Sequence, residues 1–176
     1  FLPGYIWHIT QRCHKKEFLL KFKKDRADWV GWLYESKKRF DLCVLNYTVT
    51  SNHIHLLVCG GLDRSAISNA MRFLSGRSAQ KYNRRKGRPG AFWEDRYHAT
   101  AVASDHHLIR CMNYIDMNMV RAGVVKNPLD WEQSGCHEIL NPRKRFSIIN
   151  HGALLRLLGY DSLLKFQISY QNMMKE

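Results

Sequence analysis

Two histidines stand two residues apart in Asn52-His53-Ile54-His55-Leu56-Leu57-Val58, a run of apolar and β-branched residues. In a strand, successive side chains alternate between faces, so His53 and His55 project from one side while Ile54 and Leu56 enter a core. Two imidazoles on one rigid face form a ready pair of metal ligands. On strand geometry alone, a solvated or core-satisfied pair is the commoner outcome. A second constellation lies downstream. Tyr114, Asn118 and Arg121 are spaced by four and three residues, which places them on one helical face, with Arg110 four residues before the tyrosine. A free phenol, with a pKa of about 10, is mostly inert at neutral pH, but nearby positive charge and a metal favour the phenolate and make it a nucleophile. The same spacing also fits an ordinary helix tyrosine that packs its ring and leaves its hydroxyl at the surface.

These residues need elements to hold them. Pro3-Gly4 is a turn signal, and Tyr5-Ile6-Trp7-His8-Ile9-Thr10 reads as a first strand. His8 lies on the face away from Trp7 and Ile9; it could look toward His53 and His55, although a polar-face histidine is the simpler reading. Asp25 is placed to cap a helix over residues 25–40, with Trp29, Trp32, Leu33 and Phe40 at helical spacing and Lys37, Lys38 and Arg39 near its end. Residues 42–50 form a second strand, and the Ser51-Asn52 turn makes a hairpin with the histidine strand. Gly60-Gly61 ends that strand, and Asp63 caps a second helix reaching about Asn83. Residues 99–103 form a fourth strand. Ser104 then caps a third helix over 105–122, closed by Gly123. The order strand, helix, strand, strand, helix, strand, helix predicts an α+β fold: a ferredoxin-like antiparallel sheet with helices on one face. Residues 129–145 read as loop, and 151–158 and 163–173 as two short helices. The expected division is a domain over 1–130 and a C-terminal helical extension over 131–176.

The net charge of the 176-residue chain is +13, with a pI of about 9.8, which suits a polyanionic partner because neutralising phosphates releases condensed counterions. The charge is not spread evenly. Between Arg64 and Trp93 there is no acidic residue, while Arg72, Arg77, Lys81, Arg84, Arg85, Lys86 and Arg88 all fall there. That pattern reads as a phosphate-tracking surface for nucleic acid rather than a merely solvated face. Arg143-Lys144-Arg145 is a second basic cluster. Hydrophobic content of 45% and aromatic content of 12% are enough for a core, which argues against global disorder. The five cysteines form no C-x-x-C pair, so reduced thiols and a cytoplasmic setting are expected. No apolar run approaches a membrane span, and no signal peptide is visible. The chain opens on Phe1 rather than methionine, which leaves room for residues upstream.

His53-Ile54-His55, then Phe92-Trp93-Glu94-Asp95-Arg96-Tyr97, then Tyr114-Ile115-Asp116-Met117-Asn118-Met119-Val120-Arg121-Ala122-Gly123 resemble, in order, the motifs of the HUH single-tyrosine transposases. The resemblance is nearest to the branch called REP-associated tyrosine transposases. It extends over roughly residues 3–131, taking in the opening Pro3-Gly4 to Gln11-Arg12 segment. One departure is Met119, where the family usually has proline.

The resemblance implies a metal-dependent enzyme that cleaves and rejoins single-stranded DNA. His53 and His55 would be ligands of Mg²⁺ or Mn²⁺, with Asn118 in the position of a third ligand. Tyr114 would be the nucleophile, giving a 5′-phosphotyrosine link and a free 3′-hydroxyl. The substrate would be single-stranded DNA beside a hairpin, handled by a monomer or homodimer. The basic residues listed above, with Arg96, Arg110 and Arg121, would hold the DNA, and Tyr82, Phe92 and Trp93 are available for base stacking or for core packing. Two other readings compete: a non-cleaving, sequence-specific DNA-binding protein derived from a transposase, and a two-histidine phosphoesterase using His8-Ile9-Thr10 and the histidine strand. A zinc structural protein is the weakest option, since no cysteine pair has ligand spacing.

Overall fold

The structure, a computed structural model, describes residues 1–103 and 105–174. The chain begins with β1 (Ile6–Arg12), α1 (Lys23–Phe40), β2 (Cys43–Val49), β3 (His53–Cys59), α2 (Ala66–Lys86) and β4 (His98–Val102). The four strands form one sheet in the order β2-β3-β1-β4, and every neighbouring pair is antiparallel. This is the expected α+β class with ferredoxin-like connectivity.

The alternation along β1 and β3 explains the layering. Ile9 of β1 and Ile54, Leu56 and Val58 of β3 are all fully buried. Gln11, on the same side, accepts a hydrogen bond from Ser75 of α2 at 2.7 Å, so this face lies under α1 and α2. Burying each such Leu or Ile contributes about 1.5–3 kcal/mol, the main reason the central strands stay in register. Trp29 and Leu33 of α1 are buried there, while Trp32 and Phe40 are half-buried against Phe73 of α2.

The helix starts differ from expectation. α1 begins at Lys23 after Phe22, and Asp25 is a buried first-turn residue paired with Arg85 rather than a cap. Asp63 accepts from the Ser65 backbone N–H and hydroxyl just ahead of α2, whose end runs on to Lys86 and is closed by Gly87 at φ +57°. A left-handed C-cap is a position glycine occupies without steric cost.

The expectation of helices on one face is corrected by the segment after β4. α3 (His106–Asp116) and α4 (Asn118–Arg121) lie across the opposite face, over His55. The single helix expected over 105–122 is bent at Met117 (φ −79°, ψ 3°), although the Met117 and Arg121 amides still donate to the carbonyls four residues back, at 2.9 Å each. Met119 is buried in the first turn of α4, where a proline would also be accommodated. The expected cap at Ser104 lies outside the described residues.

The remaining chain packs along β2. The expected loop over 129–145 contains a 3₁₀ turn (Pro128–Asp130) and α5 (Cys136–Leu140), followed by α6 (His151–Leu158) and α7 (Leu163–Met173) with the expected bounds. Ile149 bridges Val44 and Ser134 bridges Thr48 at the outer side of β2. The buried Glu138 carboxylate accepts from the Ile148 and Ile149 amides at 2.7 and 2.8 Å, turning that segment toward the sheet. Ile139, Ile148, Leu154, Phe166 and Tyr170 belong to the same buried cluster as the sheet residues. Among the described residues no helix is long and apolar enough to cross a membrane.

Candidate active site

Antiparallel pairing of β1 with β3 sets Thr10 opposite His55 and Arg12 opposite His53. His8, Thr10 and Arg12 therefore share the face of the two histidines, and α3 lays Tyr114 over it. The ring centroids of His53 and His55 are 4.9 Å apart, those of His8 and His55 5.1 Å, and those of His55 and Tyr114 5.7 Å. The bend at Met117 brings Asn118 in as well: its Nδ2 is 3.0 Å from His55 Nε2. Arg121 reaches back over the bend, its guanidinium 4.4 Å from the Tyr114 ring centroid and donating to the Tyr114 carbonyl. Tyr114 is 47% exposed, so a polymeric substrate can reach its hydroxyl.

The imidazoles are held neutral. Burial lowers the pKa of His8. Burial, and then the Arg12 charge, lower His53 to about 4. Burial, followed by the neighbouring His53, His8 and Arg121, lowers His55 to about 2. Neutral imidazole is the form that binds metal. His53 is also oriented: its Nδ1 lies 2.7 Å from Asn52 Oδ1, an atom that can only accept, so Nδ1 carries the proton and Nε2 presents its lone pair. Among the described residues no three His, Cys, Asp or Glu side chains are grouped as a metal cage. The side chains that meet are two neutral imidazoles and the Asn118 amide, which would have to turn its oxygen inward to serve as a ligand. That set fits a divalent ion in an open site, with positions left for substrate oxygens.

A cleft of about 320 Å³ opens over these residues, lined among others by Arg12, His53, His55, Glu94, Arg96 and Tyr114. Of the basic residues singled out in the sequence, Arg96 is in the cleft, Arg121 is on Tyr114, and Arg110 is exposed one turn before it. Arg72, Arg77, Lys81, Arg84, Arg85 and Lys86 lie on α2, and Arg88 just beyond it, on the layer against the other side of the sheet. Several have partners there: Lys81 with Asp28 at 2.8 Å, Arg85 with Asp25, Arg88 with Glu17 at 3.8 Å, and Arg77 against the Trp32 and Phe73 rings. Phe92 is buried against Tyr82, and the Trp93 indole donates to the Ser75 carbonyl at 3.0 Å, so these aromatics serve packing. Arg12 was missed in the sequence, and the approach of His8 to His55 was only the lesser of two readings of that histidine. The alternation His8, Thr10, Arg12 was visible, but the register that sets it against His53 and His55 was not.

An antiparallel ferredoxin-like sheet carrying a histidine pair under a tyrosine helix defines the class of protein. The chain belongs to the IS200-like transposases, whose family model matches residues 3–118. A solved REP-associated tyrosine transposase bound to a REP hairpin shares the fold with a TM-score of 0.68 at 19% identity, over 81% of this chain and 82% of that one. A protein described as a transposase of Deinococcus radiodurans R1 aligns with a TM-score of 0.48 at 16% identity, over 66% of this chain and 92% of that one. No curated protein sequence matches the chain.

Proposed function

We propose that this transposase cleaves and rejoins single-stranded DNA beside a hairpin, with Tyr114 as nucleophile and His53, His55 and Asn118 as ligands of Mg²⁺ or Mn²⁺. The observation that carries this reading is the meeting, in one open cleft, of an exposed tyrosine with two neutral imidazoles, one of them in contact with the Asn118 amide. Bound there, a divalent ion would polarise the scissile phosphate and offset the charge that builds on its oxygens. Tyr114 Oη attacks phosphorus, the Oη–P bond forms, and the bond to the 3′ oxygen breaks. The phenol proton is released, and the departing oxygen takes up a proton to become a 3′-hydroxyl. A phosphodiester is exchanged for another, so reversal rejoins the strand without a nucleotide cofactor. Arg121 packs over the Tyr114 ring, and Arg12 and Arg96 supply cationic walls for flanking phosphates. Imidazole is a borderline-soft ligand, so Mn²⁺ binds more tightly than Mg²⁺.

Arg110 would extend this phosphate path along α3, and the α2 cations, with the exposed Arg143-Lys144-Arg145 cluster, are proposed contacts for DNA beyond the cleft. The competing two-histidine phosphoesterase gains nothing from the geometry. His8 Nε2 and His55 Nδ1 are 2.9 Å apart and leave no space for a phosphate between them.

Cleavage polarity tests the reaction. An oligonucleotide with a hairpin and a single-stranded flank, incubated with protein and Mn²⁺, is expected to yield a fragment whose 3′-hydroxyl a polymerase extends, while the 5′ end of the other fragment resists phosphatase and kinase labelling both before and after protease digestion, because its phosphate stays esterified to the tyrosine. A fragment with a free 5′ end before digestion would contradict a 5′-tyrosyl linkage.

A further inference from the structure

His55 is contacted at both ring nitrogens. Asn118 Nδ2 lies 3.0 Å from Nε2, and His8 Nε2 lies 2.9 Å from Nδ1. An amide nitrogen only donates, so His55 Nε2 accepts and bears a lone pair. In a neutral imidazole the proton is then on Nδ1, and it is donated to His8 Nε2. The three side chains form one chain of hydrogen bonds with a single direction, from Asn118 through His55 to His8. The rings of His8 and His55 are also nearly parallel, with 19° between their planes, so His8 restrains rotation of the His55 ring as well as its tautomer.

The two candidate ligands are thus oriented by different means. His53 is held from its own hairpin turn by Asn52 Oδ1 at 2.7 Å. His55 lies deeper in the strand, where the turn does not reach, and its partner comes from the neighbouring strand. We propose that His8 is a positioning residue for the metal centre: its Nε2 keeps the proton on His55 Nδ1 and so keeps on His55 Nε2 the lone pair that now accepts from Asn118 and that the ion shared with His53 and Asn118 would take. In the opposite tautomer Nε2 would carry a proton and could not coordinate. This role rests on the metal reading above. It assigns to the first strand a function in the site, which the histidine motif alone does not.

The test uses the full chain at pH 7.5 and two readouts. Nitrogen-15 imidazole spectra of the metal-free protein report the His55 tautomer, and Mn²⁺ titration by electron paramagnetic resonance reports affinity. Wild type is expected to show His55 protonated at Nδ1. His8→Leu is expected to lose that preference and to bind Mn²⁺ about 10–100-fold more weakly, the usual effect of removing an outer-shell partner. His8→Gln, which restores an acceptor oxygen, is expected to recover at least part of both. A wild-type spectrum with the proton on Nε2 would overturn the proposal, and would do so even if His8→Leu fails to fold. Mn²⁺ affinity of a folded His8→Leu within twofold of wild type would overturn it too. Wild-type protein that shows the Nδ1 tautomer yet binds no Mn²⁺ would overturn the metal reading while upholding the hold of His8 on His55.

Discussion

At the scale of single residues, the site is assembled from groups whose ordinary chemistry has been shifted by placement. His53 and His55 titrate far below a free imidazole because burial excludes water and cations stand beside them. Their folded pKa values are lower than the unfolded value of about 6.5, so the unfolded chain binds protons first as pH falls. The stability they contribute is present above about pH 6.5 and is lost as pH drops toward 4. Each contributes a slope of about 1.4 kcal/mol per pH unit in that window. In denaturant unfolding at pH 7.5 and 5.5, His53→Gln should therefore weaken the acid loss of stability relative to wild type. An unchanged difference between the two pH values would show that His53 titrates normally. The pair was legible in the sequence from strand alternation alone. The partnership with His8 was not, since it depends on which residue of β1 falls opposite which residue of β3.

At the scale of elements, the tyrosine helix is fixed from behind by a buried polar network. Asp116, two residues past Tyr114, accepts from Asn46 of β2 at 2.9 Å and from the Tyr170 hydroxyl of α7. Burial pushes the Asp116 carboxyl up to about 7, against the lowering effect of those two donors. A carboxyl whose folded pKa lies above its unfolded value contributes stability fully below the unfolded pKa, near 4, and loses it as pH rises through about 7. Asp116→Asn cannot ionise, so relative to wild type it should gain stability between pH 5 and pH 8; a difference independent of pH would contradict this. Tyr170→Phe removes a donor from a fully buried acceptor and should lower stability by about 1–3 kcal/mol in chemical denaturation. A loss below a few tenths of a kcal/mol would mean that α7 does not brace α3.

The element boundaries show where sequence signals were sufficient. The bounds of α6 and α7 were readable in the sequence, and the structure starts them at side-chain caps from Asn150 and Ser162. The bend at Met117 carries no glycine or proline signal. The side of the sheet on which a helix lies was equally hidden. That is why α2 cations separated in space from the cleft looked, in sequence, like part of the same surface.

At the scale of the whole molecule, the charge of +13 has to be divided between partners inside the fold and cations free for DNA. Lys81, Arg85, Arg88 and Arg143 are already matched with carboxylates, while Arg96, Arg110, Lys144 and Arg145 are exposed. Binding to a single-stranded flank should fall steeply with salt, with a log–log slope of about −0.7 for each phosphate neutralised. Reversing Arg143, Lys144 and Arg145 to glutamate should reduce both hairpin affinity and that slope in fluorescence anisotropy. Affinity equal to wild type at every salt concentration would exclude the cluster from the DNA path.

The measurement that bears most directly on the central claim is trapping of the covalent intermediate. Labelled single-stranded DNA with a hairpin is incubated with Mn²⁺ and wild-type or Tyr114→Phe protein, then resolved on a denaturing protein gel. The account predicts a labelled band at the mass of protein plus DNA in wild type, lost on chelation and absent from Tyr114→Phe. A band that persists in Tyr114→Phe would assign the nucleophile elsewhere, and tight, salt-sensitive binding with no band on any strand would contradict cleavage by this site.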